Sequence, residues 1–213
     1  KLKERVYAKT KYNPSPDLKV EHLLTTITER VGTETVTKAA ARSLQGLKVV
    51  CYYGCVITRP PQLTGTKEEP EYPMCMDHLL DALGAETLDW SYKTECCGVS
   101  LGISELPIAL DLSRKVLDNA KQVGADAIVV ACPLCHMNLD MRQPQIEQRF
   151  GQTYGLPILY FTQLIGLAMG IKGEDLGISK HFVDPEPLLR AKGLWNAPES
   201  AHDSEGGKKW FRK

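Results

Sequence analysis

The chain has 213 residues, 43% of them hydrophobic and 24% charged, which is the composition of a globular protein with a packed core. Its 26 basic and 26 acidic residues balance, so the chain lacks the positive field that attracts nucleic acid or an anionic membrane surface. The most apolar run, residues 156–171, is interrupted by proline and glycine and is shorter than the roughly 20 residues of a membrane-spanning helix. We therefore expect neither a nucleic-acid partner nor direct membrane insertion.

The first part of the chain has helical periodicity. Apolar residues recur at steps of three or four over residues 20–29 and again over residues 35–44. These two patterns predict a helical connector over residues 1–44, ahead of the main domain.

From residue 45 onward the pattern alternates between strands and helices. Short apolar runs predict strands at residues 47–53, 86–90, 126–131 and 156–161. Amphipathic stretches between and after them predict helices at residues 71–83, 105–123, 139–150 and 162–169. Such alternation with short loops is typical of an α/β fold, and we predict a doubly wound, mostly parallel sheet over residues 45–171.

The end of the chain has a different composition. Residues 172–195 follow the last predicted helix, and we expect them to form a C-terminal extension. Residues 196–213 contain proline, serine, glycine, aspartate and lysine with little apolar surface to bury, and this composition predicts a disordered tail.

The cysteine content indicates the compartment. Seven cysteines is a high and odd number for a chain whose charged start shows no signal peptide. Cytosolic thiols are kept reduced, so clustered cysteines there indicate metal or redox chemistry more often than structural disulfides. We expect a cytoplasmic protein with a thiol-based site.

Five cysteines fall directly after predicted strands. One follows the first strand, two follow the second and two follow the third. In a parallel sheet the loops after the carboxyl ends of the strands meet at one edge and form the binding crevice. We therefore expect the five thiols to converge. They are Cys55, Cys96, Cys97, Cys132 and Cys135.

Five thiols exceed what common metal sites require. Structural zinc takes four ligands, and an ordinary cubane [4Fe–4S] cluster takes four cysteines. The adjacent Cys96 and Cys97 cannot easily chelate one small ion, but they could bind different irons of an extended cluster. Gly98 would let the backbone approach such a cluster and offer it an N–H.

Two other interpretations of the thiols remain open at this point. The cysteines could form a structural zinc site. The pair Cys132 and Cys135 could also act alone as a thioredoxin-like dithiol, because a C-x-x-C segment follows a strand there.

The spacing of these cysteines resembles a known family. The segments that carry the likeness are YYGCVITRP around Cys55, the Cys96-Cys97-Gly98 triplet, and GADAIVVACPLCH up to His136. Together they are similar to the Rossmann-like, cysteine-rich CCG domain, and within that superfamily to the B subunit of heterodisulfide reductase. The resemblance covers most of residues 19–183.

The resemblance implies a cofactor and a reaction. It implies a noncubane [4Fe–4S] cluster bound by all five cysteines. It also implies two-electron reduction, or reversible formation, of a small-molecule disulfide in one-electron steps. The expected partners are other subunits of a heterodisulfide reductase-like complex, namely a ferredoxin-like iron–sulfur subunit and a flavin subunit. Related CCG proteins suggest an alternative, an electron-relay module of a flavin- or quinone-linked dehydrogenase.

Two departures from the family pattern matter. The family usually carries two such cysteine motifs in one subunit, whereas this chain holds one, so we expect an N-terminal half to be missing or to lie on another chain. The family also often has a polar residue or histidine directly after the first ligand, where this chain has Val56.

Other residues are weaker candidates. His136 follows the last ligand and could donate a proton to a leaving thiolate, or it could be an ordinary helix-start histidine. Arg59 could pair with an anionic substrate group, or it could be a loop arginine. Gln163 ends the fourth predicted strand and is a possible pocket residue. Cys51 and Cys75 are expected to be packing thiols.

Overall fold

A computed structural model describes residues 1–13, 15, 18, 20–61 and 68–196. Its centre is a sheet of four parallel strands in the order β2-β1-β3-β4. The strands are β1 (Lys48–Tyr52), β2 (Glu86–Thr87), β3 (Ala127–Val130) and β4 (Ile158–Tyr160). The prediction of a parallel, doubly wound α/β fold is confirmed.

Helices cover the sheet and precede it. Those before the sheet are α1 (Leu2–Thr10), α2 (Leu23–Thr25), a π-helical stretch (Thr26–Gly32) and α3 (Thr33–Lys38). Those within and after the sheet are α4 (Cys75–Ala82), α5 (Leu106–Gln122), α6 (Pro133–Met141), α7 (Gln143–Phe150), α8 (Phe161–Ala168) and α9 (Glu186–Ala191). Two short 3-10 turns lie at Val99–Leu101 and Ile178–Lys180.

The two faces of the sheet have separate cores. Val49 and Cys51 of β1 point into one apolar cluster, which the side chains of α3, α4 and α8 complete. Val50 and Tyr52 point into the other, which is completed by α5, α6 and α7. Because both faces are covered, the strand residues are apolar without alternation, which is the pattern of a buried parallel strand.

The connector differs from its predicted boundaries. The helix predicted over residues 35–44 ends at Lys38. The backbone N–H groups of Ala41 and Arg42 instead donate to the carbonyl of Ala168, and Leu44 donates to the carbonyl of Leu83. Leu44 is fully buried, so its apolar periodicity reflects docking against the ends of α4 and α8 rather than a continuing helix.

The helix predicted over residues 139–150 is wrong in extent. The structure has two helices there, and the first begins at Pro133, directly after Cys132. Proline suits the first turn of a helix because its missing N–H has no intrahelical partner there. Pro144 lacks the N–H that a continuing α6 would need, so α6 ends before it and α7 has this proline in its first turn. The second strand is also shorter than predicted, since β2 spans Glu86–Thr87 instead of residues 86–90.

The C-terminal extension packs back onto the connector. The Arg42 guanidinium donates to the carbonyls of Leu167 and Leu194, both at 2.6 Å, and Trp195 is buried. The predicted tail, apart from Asn196, lies outside the described residues. Among the helices of the described ranges, none has both the length and the apolarity needed to cross a bilayer.

Candidate metal centre

The five cysteines meet at the carboxyl edge of the sheet. The chain leaves β1 toward β2 and later returns to β3 on the other side of β1, so the topological switch point lies between β1 and β3. Cys55 follows β1 and Cys132 follows β3. The loop after β2 brings Cys96 and Cys97 to the same edge.

The sulfurs form a deep pair and an outer group. Cys97 and Cys135 are 2% and 6% exposed, and their sulfur atoms lie 3.7 Å apart. Cys55, Cys96 and Cys132 are half-buried. The thiols of the deep pair therefore face the protein interior, while the outer three remain accessible from the edge of the sheet.

The Cys55 loop is fixed by backbone contacts. The N–H groups of Tyr53 and Gly54 donate to the carbonyl of Lys93, at 2.8 and 3.0 Å. Gly54 has a φ of +67°, and a Cβ built there would lie 3.0 Å from the Cys135 sulfur. Glycine thus leaves open the space between the first cysteine loop and the deep pair.

The loop that carries Cys96 and Cys97 is packed tightly on helix α5. Gly98 has a φ of +81°, and a Cβ there would lie 2.9 Å from the Cα of Ala109. Its N–H donates to the Cys96 sulfur at 3.3 Å. The glycine therefore supplies both the turn and a hydrogen bond to the Cys96 thiol.

A buried polar network supports the Cys97 backbone. Its carbonyl accepts hydrogen bonds from Ser113 of α5 at 2.8 Å and from Asn138 of α6 at 2.7 Å. Asn138 also donates to Ser113 at 2.8 Å and accepts from the Arg142 guanidinium at 2.7 Å. Both Ser113 and Asn138 are fully buried, so these bonds join two helices underneath the deep pair of thiols.

Sequence reasoning missed this network, although a signal existed. Ser113 interrupts the apolar stripe of α5, and Asn138 follows Cys135 on the buried side of α6. A polar residue at a core position must find a partner in the fold. Tyr52 was missed as well: its hydroxyl donates to the carbonyl of Glu95 at 2.5 Å. Burial and nearby thiols, Cys97 first, raise its pKa.

The site favours thiolates at two positions, the outer Cys132 and the deep Cys97. A hydrogen bond from the Cys135 thiol, with N–H groups of the first turn of α6, lowers the pKa of Cys132 to about 5. The same thiol, the Val99 N–H and Asn138 lower the pKa of Cys97 to about 7. The pKa of Cys135 is raised in turn, because its proton bridges two thiolates. Thiolate is the form that binds metals.

The outer thiol of Cys55 behaves differently. Burial and the neighbouring Cys96 thiol raise its pKa. Metal binding to this side of the site therefore has to displace a proton.

The described residues contain one compact set of three donor atoms within 4.8 Å of one another, and the cysteines do not form it. A single tetrahedral zinc with Zn–S bonds of about 2.3 Å would hold its sulfurs about 3.8 Å apart. The Cys97–Cys135 separation matches that value, but among the described cysteines no third sulfur joins the pair within 4.8 Å. The sulfurs are spread more widely than one zinc ion requires.

A cavity of about 360 Å³ opens beside the Cys55 loop. Val56 and Thr58 lie on one wall, and His22 of the connector lies on another. His22 also contributes to the low pKa of Cys132, so the cavity lies close to both the first and the third cysteine loops.

The other candidate residues have local partners. The Arg59 side chain bonds the Glu71 carboxylate and, at 3.1 Å, the Thr94 hydroxyl. His136 is buried and stacks on Tyr160, with ring centres 4.3 Å apart. The Gln163 side-chain oxygen accepts the N–H of Tyr160 at 2.9 Å.

The two remaining cysteines lie away from the five. Cys51 is fully buried in the core on the opposite face of the sheet from the deep pair. Cys75 begins α4 and is half-buried, and burial raises its pKa to about 12. Neither is grouped with the thiols at the carboxyl edge.

Comparison with known families bears directly on this site. Residues 49–140 match the model of the CCG cysteine-rich domain, a range that contains all five cysteines. The B subunit of the ferredoxin/F(420)H(2)-dependent CoB-CoM heterodisulfide reductase of Methanosarcina acetivorans is 32% identical over 77% of this chain and 55% of its own length. The 8-methylmenaquinol:fumarate reductase membrane anchor subunit of Wolinella succinogenes is 29% identical over 73% of this chain and 54% of its own length.

The chain therefore spans about half the length of these relatives. Among solved structures, a hypothetical protein from Helicobacter pylori superposes with a TM-score of 0.55 over 71% of this chain and 28% of its own. At 13% identity that likeness concerns the fold alone.

Proposed function

Because the chain carries a CCG cysteine-rich domain and is homologous to proteins named as the B subunit of heterodisulfide reductase, we propose that it is the iron–sulfur subunit of a heterodisulfide reductase-like complex. In this proposal the five cysteines bind a noncubane [4Fe–4S] cluster. The domain that holds it spans residues 45–171, and residues 1–44 are its connector. The observation that carries the proposal is the convergence of five thiols from three loops at one edge of the sheet.

The residues present fit such a group. The donors are thiols, which are the ligands that iron–sulfur clusters use. Gly54 and Gly98 stand where a Cβ would enter the space between the cysteine loops or strike helix α5. The wide spread of the sulfurs favours several metal atoms over one zinc ion.

The reaction we propose is reduction of a disulfide to two thiols, which consumes two electrons and two protons, or the reverse. When bound, the cluster would supply the electrons one at a time. The half-buried Cys55, Cys96 and Cys132 lie on the accessible side, and we assign the disulfide to the cavity beside Cys55.

The chain's own charges restrict the substrate's position. Arg59 is engaged by Glu71, so an anionic substrate group would have to compete for it. His22 lines the assigned cavity and Arg59 does not. Glu21 and Glu68 line it too and disfavour an anionic group there. We propose that electrons arrive from a ferredoxin-like iron–sulfur subunit and a flavin subunit, in the cytoplasm.

The Wolinella relative supports a second candidate. Its name describes the anchor subunit of a menaquinol-linked fumarate reductase, which suggests a relay that passes electrons without touching a disulfide. Electron paramagnetic resonance of the oxidised protein separates the two functions. A signal that changes when thiols are added supports disulfide chemistry, whereas a signal indifferent to every thiol tried supports the relay.

The cofactor assignment is tested by anaerobic purification and analysis of iron and acid-labile sulfide. We expect Cys97→Ser to lose the iron and the cluster spectrum, because Cys97 belongs to the deep pair. Cys51→Ala is the matched control, since Cys51 lies in the core on the opposite face of the sheet from the deep pair, and it should retain both. Full iron and an unchanged spectrum in Cys97→Ser would defeat the ligand assignment, and zinc without sulfide in the wild-type chain would defeat the cluster.

A further inference from the structure

A second set of metal-ligand side chains lies beside the cysteines, and the proposed function does not use it. His136 and Asp140 stand four residues apart on α6 and share one face of that helix. His181, directly after the Ile178–Lys180 turn, joins them from the C-terminal extension. One ligand atom from each of the three lies within 4.8 Å of the others. We call these residues the His–Asp–His group.

The group contains a buried charge with no cationic partner. Asp140 is 2% exposed. Its carboxylate accepts the N–H groups of Phe182 and Val183, at 2.8 and 3.0 Å. No lysine or arginine pairs with it within the described part of the chain. A buried carboxylate is normally paired with a cation or bound to a metal, because leaving water is costly for a charge.

The two histidines also have unused ring nitrogens. Nε2 of His136 and Nδ1 of His181 are buried and lack a hydrogen-bond partner in the described structure. One ligand atom from each ring and one from the Asp140 carboxylate lie within 4.8 Å of one another.

We propose that His136, Asp140 and His181 bind a divalent zinc ion. Two imidazoles and one carboxylate are a ligand set that zinc accepts, with a water molecule in the fourth position. Zinc bonds to nitrogen and oxygen are about 2.0–2.2 Å long, so the three side chains would move closer together on binding. The ion would supply the positive charge that Asp140 lacks.

Gln163 acts on the ring of His181. Its amide nitrogen lies 3.0 Å from Nε2 of His181 and 3.2 Å from the carbonyl of Leu176. In this orientation the amide donates to Nε2, which places the ring proton on Nδ1. Zinc at Nδ1 therefore requires the ring proton to move to Nε2 and the Gln163 amide to turn its oxygen toward it, which breaks the amide's bonds with the Tyr160 N–H and the Leu176 carbonyl.

Such an ion would join two parts of the molecule. Helix α6 begins at the third cysteine loop, and residues 178–183 belong to the C-terminal extension. Zinc would fasten the extension to the helix that presents Cys132 and Cys135. This site is separate in residues and in chemistry from the cysteine centre, and it does not depend on the proposed function.

The test uses the full chain with its iron in place. The protein is incubated with zinc chloride, dialysed and analysed for zinc and iron, and zinc K-edge X-ray absorption then identifies the ligand atoms. We expect about one zinc per chain, with nitrogen and oxygen at about 2.0–2.2 Å and no sulfur at about 2.3 Å. His181→Gln and Asp140→Asn should each lose the zinc and keep the iron. His78→Ala, an exposed histidine on α4, should keep both.

Sulfur ligation, no zinc uptake by the wild-type chain, or zinc retained in both variants would overturn the proposal. Should a variant misfold and lose its iron, the zinc K-edge spectrum of the wild-type protein tests the ligand assignment by itself. Zinc bound through nitrogen and oxygen to a chain that never acquires iron would uphold this site and defeat the iron–sulfur function.

Discussion

Helix α6 presents two different donor sets along its nine residues. At its start, Cys132 and Cys135 belong to a sulfur-rich centre that opens at the edge of the sheet. One residue later, His136 faces Tyr160 and His181 under the C-terminal extension. Successive helical residues are rotated by about 100°, so neighbours in sequence contact different parts of the fold. Adjacent residues can therefore serve separate sites.

The two donor sets suit different metals. We call Cys132 and Cys135 the sulfur end, and His136 and Asp140 with His181 the nitrogen and oxygen end. Thiols are soft ligands and favour iron–sulfur clusters, whereas imidazole with carboxylate favours zinc and similar ions. The sulfur end depends on three loops held by glycines and buried hydrogen bonds. The nitrogen and oxygen end depends on one helix and the extension that covers it. Substitutions should therefore disturb one end and leave the other intact.

The largest effect is expected for Gly98→Ala at the sulfur end. The new Cβ would meet the Cα of Ala109 at 2.9 Å, in a backbone with a φ of +81°. Backbone strain and overpacking together should lower the free energy of unfolding by about 3 kcal/mol or more. The Cys96 and Cys97 loop would shift, so we expect the iron to be lost while zinc uptake by the His–Asp–His group persists in the folded fraction.

Gly124→Ala separates strain from the clash. Gly124 has a φ of +79°, and nothing lies within 4 Å of a Cβ built there. This variant should lose only the strain energy, about 1 kcal/mol, and keep all its iron. Denaturant titration with iron analysis measures both effects. Equal losses in the two glycine variants would show that contact with α5 does not matter.

A smaller effect is expected for Asn138→Leu, which lies between the two donor sets on α6. The change removes one of the two hydrogen bonds to the Cys97 carbonyl, the Asn138 bond to the Ser113 hydroxyl and the acceptor of the Arg142 Nε–H. The loss of these buried hydrogen bonds should lower the free energy of unfolding by about 2 kcal/mol. Because Ser113 alone then holds the Cys97 carbonyl, iron content should fall, while zinc content stays unchanged.

Gln143→Leu is the matched control for this prediction. Gln143 is equally buried and bonds the carbonyls of Leu139 and Leu156, which belong to none of the cysteine loops. It should cost similar stability, about 2 kcal/mol, at full iron content. Chemical denaturation measures the stability of both variants, and metal analysis measures their iron content. Iron loss in Gln143→Leu would show that general stability, not the network under Cys97, determines cluster binding.

The sulfur end was largely predictable from sequence because its ligands follow strands. Cys55 and Cys132 come directly after apolar runs, and the rule that parallel strands gather their carboxyl ends at one edge predicts their meeting. The depth of each sulfur was not predictable, since it depends on how α5 packs against Gly98. The ligand role of the five cysteines stays a prediction.

The nitrogen and oxygen end was not predictable in this way. His181 lies far along the chain from Asp140, in an extension without periodicity, and only tertiary packing brings the two together. The helix that carries His136 and Asp140 was also predicted to begin at residue 139, because Pro133 was not recognised as a helix start. With α6 missing, the shared face of His136 and Asp140 could not be seen.

The smallest predicted effect concerns Gln163→Glu at the nitrogen and oxygen end. Zinc-bound histidines commonly donate their second N–H to a carboxylate, which orients the ring and strengthens the bond. A glutamate at this position would accept the Nε2 proton of His181 without the amide having to turn. We expect zinc affinity to rise by up to about tenfold, since outer partners of this kind contribute about 10- to 100-fold.

Calorimetric titration of zinc into the iron-loaded protein measures this change. Gln163→Met removes the polar partner at similar size, so its affinity should fall below that of the wild type, and iron content should be unchanged in both variants. Zinc affinity should decrease from glutamate to glutamine to methionine at position 163 only if His181 binds zinc through Nδ1 with its proton on Nε2. An affinity that falls in Gln163→Glu would mean that His181 keeps its proton on Nδ1, and the zinc ion would then lack its third ligand.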